Sequence, residues 1–172
     1  MNKEEIIIDF SDPDEKGRWE IVNDVVMGGI SQSKMVISQH GTAIFQGNLS
    51  LENYGGFASV RTYPQKFKFE GHSGLLICVK GDGKKYRLRL RTDDEFDGVA
   101  YQAGFTTTSG KWVNIHLPFS EFKPIFRGRI VHDAPKLDIQ KIRRIGFMIA
   151  DKQEGQFILE FEWVKAYSEN NT

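Results

Sequence analysis

The chain has 172 residues, 40% of them hydrophobic, with 13 phenylalanines and one cysteine. That is enough for one domain with a real core, because a chain of about 150 residues buries roughly 70% of its unfolded surface on folding. Lys+Arg and Asp+Glu balance at 23 each, which excludes a net field that would attract nucleic acid or an anionic membrane, and a single cysteine excludes a disulfide framework within the chain.

The opening stretch M-N-K-E-E-I-I-I-D-F holds acidic residues and only three consecutive isoleucines. It has the make-up of neither a signal peptide nor a basic amphipathic transit peptide. No apolar run approaches the length that spans a bilayer, so membrane insertion is not expected. The expectation is a reducing, cytoplasmic setting.

The dominant hydrophobic period is two, so strands are expected throughout. In chain order they fall at 6–10, 19–27, 35–38, 42–49, 57–62, 74–80, 86–91, 99–105, 112–117, 144–150 and 157–163. Turn signals separate them: Asp12-Pro13-Asp14, His40-Gly41, Gly81-Asp82-Gly83, Asp97-Gly98 and Ser109-Gly110. The turn at 81–83 reads as a hairpin. The alternation over 63–69 reads as an edge strand with a buried face. Helix is confined to short turns expected within 120–126, stopped by Pro124, and within 137–143. These elements predict an all-β, antiparallel β-sandwich of jelly-roll type with one or two short helical turns. Residues 1–172 form a single domain, with a polar tail from about residue 168 expected to fray.

The stretch W-E-I-V-N-D-V-V-M-G-G-I-S at 19–31 is the most distinctive. A strand is broken by Gly28-Gly29 directly after Asn23, Asp24 and Met27, and Gly55-Gly56 before Phe57 repeats the device. Paired glycines after polar strand residues mean backbone in a conformation that side chains forbid, or backbone pressed against something else. Strict alternation in Y-R-L-R-L-R puts Arg87, Arg89 and Arg91 on one face of one strand. Two readings of that row are open. Glu160 and Glu162, sharing a face of another strand, could neutralise it. Alternatively, the row is part of a polar sheet face for an anionic or polyhydroxylated ligand, with Tyr101 and Gln102 contributing if the ring or the amide faces the same way.

Catalytic and metal chemistry leave little trace. His40, His72, His116 and His132 are widely spaced, and no G-x-S-x-G, P-loop or G-x-G-x-x-G opening a helix occurs. The acidic loop at 93–98 fails as an EF-hand, since Gly104 stands where a bidentate Glu is required. No cofactor or metal is expected, with a looser calcium site in this loop as the minor alternative. Cys78, inside L-L-I-C-V, reads as a buried structural thiol.

These segments resemble the complex I intermediate-associated protein 30 family. The match also runs through F-Q-G-N-L-S-L-E-N-Y-G-G-F-A-S-V-R at 45–61, G-D-G-K-K-Y-R-L-R-L-R at 81–91, Y-Q-A-G-F at 101–105 and W-V-N-I-H-L-P-F-S-E-F at 112–122. F-R-G-R at 126–129, I-R-R-I-G-F-M-I-A-D at 142–151 and G-Q-F-I-L-E-F-E-W-V at 155–164 complete it. The resemblance implies a galactose-binding-domain-like sandwich and a non-catalytic assembly factor for respiratory complex I (NADH:ubiquinone oxidoreductase). Its partners would be membrane-arm subunits or intermediates, and the eponymous member is mitochondrial. The family is also distantly similar to carbohydrate-binding modules. No catalytic residues carry over, and the signature that does comprises Asn23, Asp24, Met27, Gly28, Gly29, Ser31, Gly55, Gly56, Phe57, Tyr86, Arg87 and Arg89. This chain starts almost directly at the domain, as expected of a compact prokaryotic-type member or of a domain freed of its extensions.

The expected function is therefore a binding module working through protein–protein contacts. The alternative is a carbohydrate-binding module lined by Arg87, Arg89, Arg91, Tyr101 and Gln102. A third reading, an enzyme, would use Asp24 as its acid–base group, against the plainer role of that carboxylate in holding a turn.

Overall fold

The computed structural model describes residues 3–169. The period-two pattern is realised as β1 (Lys3–Asp9), β2 (Trp19–Asn23), β3 (Gln32–Ile37), β4 (Ala43–Leu49), β5 (Ala58–Thr62), β6 (Gly74–Lys80) and β7 (Lys85–Arg91). They are followed by β8 (Ala100–Thr106), β9 (Trp112–Pro118), β10 (Lys123–Phe126), β11 (Arg129–Ile130), β12 (Arg144–Ile149) and β13 (Gly155–Ser168). One sheet runs β3-β4-β13-β6-β9, with β1 also paired to β13, and the other runs β11-β10-β8-β7-β12-β5-β2. Every named strand pair is antiparallel.

The two sheets face each other across the alternate residues of each strand. Tyr86, Leu88 and Leu90 of β7 and Ile145, Phe147 and Ile149 of β12 are buried against Leu75, Ile77 and Val79 of β6 and Phe157, Leu159 and Phe161 of β13. Phe147 and Phe161 meet across the sandwich with ring centroids 4.5 Å apart. Trp19 leans on Phe10 at 5.5 Å and on Phe147 at 6.3 Å. Each such aromatic pair adds about 1 kcal/mol beyond the area it buries. Trp19, conspicuous in the sequence, is thus a core residue.

Several expectations are corrected. The strand expected over 19–27 stops at Asn23, and Asp24–Met27 is a 3₁₀ turn. The turn at 81–83 is no hairpin: β6 and β7 belong to different sheets, so the chain crosses the sandwich there. Asp82 holds that crossing, accepting from Lys84 N at 3.1 Å and from Ile158 N of the opposite sheet at 3.0 Å. The segment 63–69 forms no strand, although Phe69 is buried and stacks with Phe67. A 3₁₀ turn at Phe119–Glu121 gives way to β10, which contains Pro124, and the region 137–143 holds only the turn Ile139–Lys141.

A register shift between Phe161 and Val164 moves Trp163 off the core face that its spacing predicted and puts Val164 there instead. The ammonium of Lys165 lies 3.9 Å from the Trp163 ring centroid. Cys78 is not buried among apolar side chains. It is half-buried, with its Sγ 3.8 Å from Glu162 Oε2, and desolvation together with that carboxylate pushes the thiol up. Of the tail expected to fray, Ser168 ends β13 and residues 170–172 lie outside the described span.

Tyr86 lies fully inside the sandwich, its hydroxyl 3.0 Å from Asp82 Oδ1 and 3.2 Å from the Ile158 carbonyl. Burial, then the Asp82 charge, push its phenol well above the ordinary tyrosine value. A folded-state pKa raised in this way contributes stability that is present below about pH 10 and is lost as pH rises further, because the unfolded chain ionises first. The substitution Tyr86→Phe is expected to cost about 1 kcal/mol at neutral pH. It should also flatten the alkaline fall in stability, measured by urea unfolding between pH 7 and 11.

Candidate functional site

Outward-facing residues of the β2–β8 sheet form the floor of a groove of about 650 Å³. Cα register sets them in rows. One row is Glu20, Arg61, Gly146, Arg89 and Gln102. The row to one side includes Ser59, Met148 and Arg87, and the row to the other pairs Arg144 with Arg91. Five guanidiniums therefore share one sheet face, two of which, Arg61 and Arg144, were not singled out in the sequence. Neither sits in an R-x-R alternation, and only strand order brings them beside the row on β7. Gly146 makes the crowding feasible. A Cβ there would lie 2.9 Å from both Arg61 Cβ and the Val60 carbonyl.

Glu160 and Glu162 do not pair with these arginines, because β13 lies in the other sheet. Glu160 instead accepts from Thr42 at 2.5 Å and meets Lys80 at 3.5 Å. The carboxylates that touch the five floor guanidiniums are Glu20, 3.1 Å from Arg144 and 3.7 Å from Arg61, and Asp151 on Arg87. Arg91 donates to the Gly98 carbonyl at 2.8 Å. Arg89 makes no ion pair among the described residues, and its Nε, like Arg61 Nε, Arg61 Nη2, Arg144 Nε and the Gln102 Oε1 acceptor, is buried without a hydrogen-bond partner. Desolvation first, then the neighbouring guanidiniums, lower Arg89 to about 10. Arg61, 6% exposed, is also lowered to about 10, by desolvation and then by Arg144. Both stay cationic at neutral pH, and the folded protein bears the repulsion.

The acidic loop at 93–98 forms one end of the groove and serves the arginines. The Phe96 carbonyl accepts from Arg61 Nη1 at 2.9 Å, and the Phe96 ring lies 4.7 Å from its guanidinium carbon. Asp97 meets Arg127, and Asp94 meets Arg143. Among the described residues no group of three or more His, Cys, Asp or Glu is placed to hold a metal ion.

The other end is built by Asp24. Its carboxylate is fully buried and accepts four hydrogen bonds, from Ser31 N at 2.9 Å, Ser31 Oγ at 2.5 Å, Gly56 N at 2.7 Å and Phe57 N at 3.4 Å. The paired glycines exist around it. A Cβ on Gly29 or on Gly55 would sit 2.5 Å from the Asp24 carboxyl group, and Gly28 and Gly56 adopt φ of +89° and +135°. Asn23 adds a brace, its Oδ1 accepting from Ser33 Oγ at 2.7 Å and Ser59 N at 3.3 Å. With every approach occupied by protein donors, Asp24 is not placed to act as an acid–base group on a substrate. The carboxylate clasps the segments 24–31 and 50–57 together.

The clasped segments present an apolar lip. Met27 is 63% exposed and Tyr54 97% exposed, with Val25 and Val26 beside Met27 exposed as well. Asn53 and Tyr54 both have positive φ, 56° and 60°, an unusual backbone for non-glycine residues that directs the ring outward. Of the residues expected to line a sugar groove, Tyr101 does not take part: it is buried on the core side, its hydroxyl donating to the Pro135 carbonyl at 2.7 Å. Gln102 stands in the Arg89 row, so the amide rather than the ring faces the arginines.

Residues 8–161 match the family model described as Complex I intermediate-associated protein 30. The chain belongs to this family. It is 26% identical over 182 residues to the mitochondrial Complex I intermediate-associated protein 30 of Drosophila melanogaster, covering 93% of this chain and 62% of that protein. It is 25% identical over 189 residues to the Mus musculus protein of the same name, covering 98% and 58%. The chain thus spans about three fifths of the length of these relatives. Among solved structures, the family 11 carbohydrate-binding module of a cellulosomal cellulase of Clostridium thermocellum superposes with a TM-score of 0.70 at 18% identity, over 99% of this chain and 97% of that one. The same kind of module in complex with a β-1,3-1,4-mixed-linked tetrasaccharide gives 0.66 at 18% identity, over 90% and 91%. The likeness confirms the jelly-roll, galactose-binding-like sandwich. No helix among the described residues is long and apolar enough to cross a membrane.

Two substitutions separate the parts of this site. Asp24→Asn places an amide against at least one protein donor whichever way it turns. It is expected to cost about 2 kcal/mol, lowering Tm by about 4–8 °C in a calorimetric scan. Arg89→Met, by contrast, removes a desolvated charge from a row of like charges and is expected to raise Tm by about 2–4 °C.

Proposed function

We propose that this chain is a non-catalytic binding module that assists the assembly of respiratory complex I by holding a protein partner. The contact surface is the groove face of the β2–β8 sheet together with the lip formed by Val25, Val26, Met27 and Tyr54. The observation that carries this reading is the lip itself. Four large apolar side chains on two short turns are held outward by a buried carboxylate that does no other visible work. Exposed apolar groups next to a polar floor are what a protein interface needs: a water-excluding centre with a charged surround. Family membership supplies the process, and the relatives whose names carry it are mitochondrial.

Affinity capture with the tagged protein from a respiring extract in mild detergent tests this. Wild type is expected to retain complex I subunits or intermediates, and the double variant Met27→Asp, Tyr54→Asp to retain at least tenfold less while folding normally. Recovery of no complex I component by wild type overturns the reading.

A second reading is favoured by the Tyr54 ring beside a floor of Arg and Gln forks, a combination that suits a saccharide. A neutral sugar would leave the guanidiniums uncompensated, so this reading requires an acidic one. Titration calorimetry with the mixed-linked tetrasaccharide and with an oligogalacturonate decides it, and no heat from either removes it.

A further inference from the structure

We infer that the groove accepts an acidic segment of the partner protein, with one carboxylate seated at Arg89 between Arg61 and Arg91 and apolar neighbours resting on the lip. This rests on the protein-contact reading above and adds the chemistry of the partner.

Three observations converge on it. First, the floor is electrostatically unfinished. Among the described residues the five guanidiniums meet two carboxylates, Glu20 and Asp151, while Asp93 acts on Arg91, and Asp97 on Arg91 and Arg89, without touching them. Arg89, at the centre, is touched by no carboxylate among the described residues, with Asp97 acting on it only from a distance, and Arg61 and Arg144, both 6% exposed, keep unpartnered Nε groups. Holding such charges out of water is costly unless something pairs with them. A guanidinium fork matches the two oxygens of a carboxylate. Second, the volume of about 650 Å³ is far larger than one small anion and falls in the range that encloses several side chains or a drug-sized ligand. Third, the apolar side chains lie at both ends: Val26, Met27 and Tyr54 at one, and Phe96, 54% exposed, at the other. A free phosphate would leave all of these wet, and a neutral apolar peptide would bury the guanidiniums unpaired. A nucleic-acid backbone would meet Asp97, half-exposed in the groove lining. A segment alternating acidic and apolar residues satisfies floor and lip together.

The test uses a fluorescein-labelled octapeptide of alternating glutamate and leucine, the same peptide with glutamine for glutamate, inorganic phosphate and glutarate. Anisotropy follows binding, and the arginine Nε–Hε signals in a ¹⁵N-resolved NMR spectrum report which guanidiniums respond. The glutamate peptide is expected to bind and to shift Arg89 and Arg61. The glutamine peptide, and Arg89→Met with the glutamate peptide, are each expected to bind at least tenfold more weakly, the scale set by unpairing a buried charge. Calorimetry of Arg89→Met in parallel shows that it is folded, and Arg89→Lys, which keeps the charge but not the fork, should fall between.

Equal binding of the two peptides, or none by either, overturns the inference. So does an equal response of the Nε–Hε signals to phosphate or glutarate at the peptide's concentration, which would make the site one for a free anion. The broader reading is judged separately. If Arg89→Met captures complex I subunits as well as wild type does, the acidic-segment inference falls and the protein-contact reading stands. If wild type captures none, that reading falls whatever the peptides do.

Discussion

Burying Tyr86, Leu88 and Leu90 against the opposite sheet forces Arg87, Arg89 and Arg91 onto the outer face of β7. The pleat leaves no other choice, since successive side chains in a strand point to opposite faces. A one-residue slip would put three arginines into a core made of Phe147, Phe157 and Phe161. The core therefore fixes the groove floor, and the charge on that floor follows from the same hydrogen-bond ladder that packs the sandwich. The antiparallel register of β5, β12 and β7 then brings Arg61 and Arg144 beside the row across the gap at Gly146.

The cluster works against stability. Arg61, Arg89 and Arg91 are all held below their ordinary values, each by desolvation before any neighbouring charge. Structural arginines in sandwiches usually find carboxylates across the strand, and Glu20 does this for Arg61 and Arg144. Among the described residues no carboxylate does the same for Arg89. Strained or under-compensated groups concentrate where a protein meets its ligand, because the missing partner is supplied from outside. The Arg89 position has that character, and the Glu15–Arg18 pair near the Trp19 indole, a satisfied local network, does not.

The Asp24 clasp solves a different problem. Two turns that carry Val25, Val26, Met27 and Tyr54 have too few apolar contacts to hold themselves, and an exposed apolar loop would fold back on the core. One carboxylate with four donors ties both turns to the sheet ends, and glycines at 29 and 55 leave it room, since a Cβ at either would stand 2.5 Å from the Asp24 carboxyl group. Floor and lip are thus supported independently. The floor depends on sheet register and the lip on a buried hydrogen-bond knot, so each can be altered without dissolving the other.

The amino-acid sequence by itself determined the all-β class, most strand positions, the shared face of Arg87, Arg89 and Arg91, and the special backbone around Gly28-Gly29 and Gly55-Gly56. All of these are local, written in a period of two or in residues that only one conformation tolerates. Tertiary structure decided the rest. The turn at 81–83 looks like a hairpin locally, and only sheet pairing shows it crossing the sandwich. The same pairing separates Glu160 and Glu162 from the arginines they seemed matched to. Tyr101 and Gln102 are adjacent in sequence, yet the pleat sends one to the core and the other to the groove. Asp24 reveals its role only when residues 31 and 56 are brought to it. Strand order and long-range closure are cooperative properties of the whole chain, and no window of neighbouring residues encodes which distant strand will lie alongside.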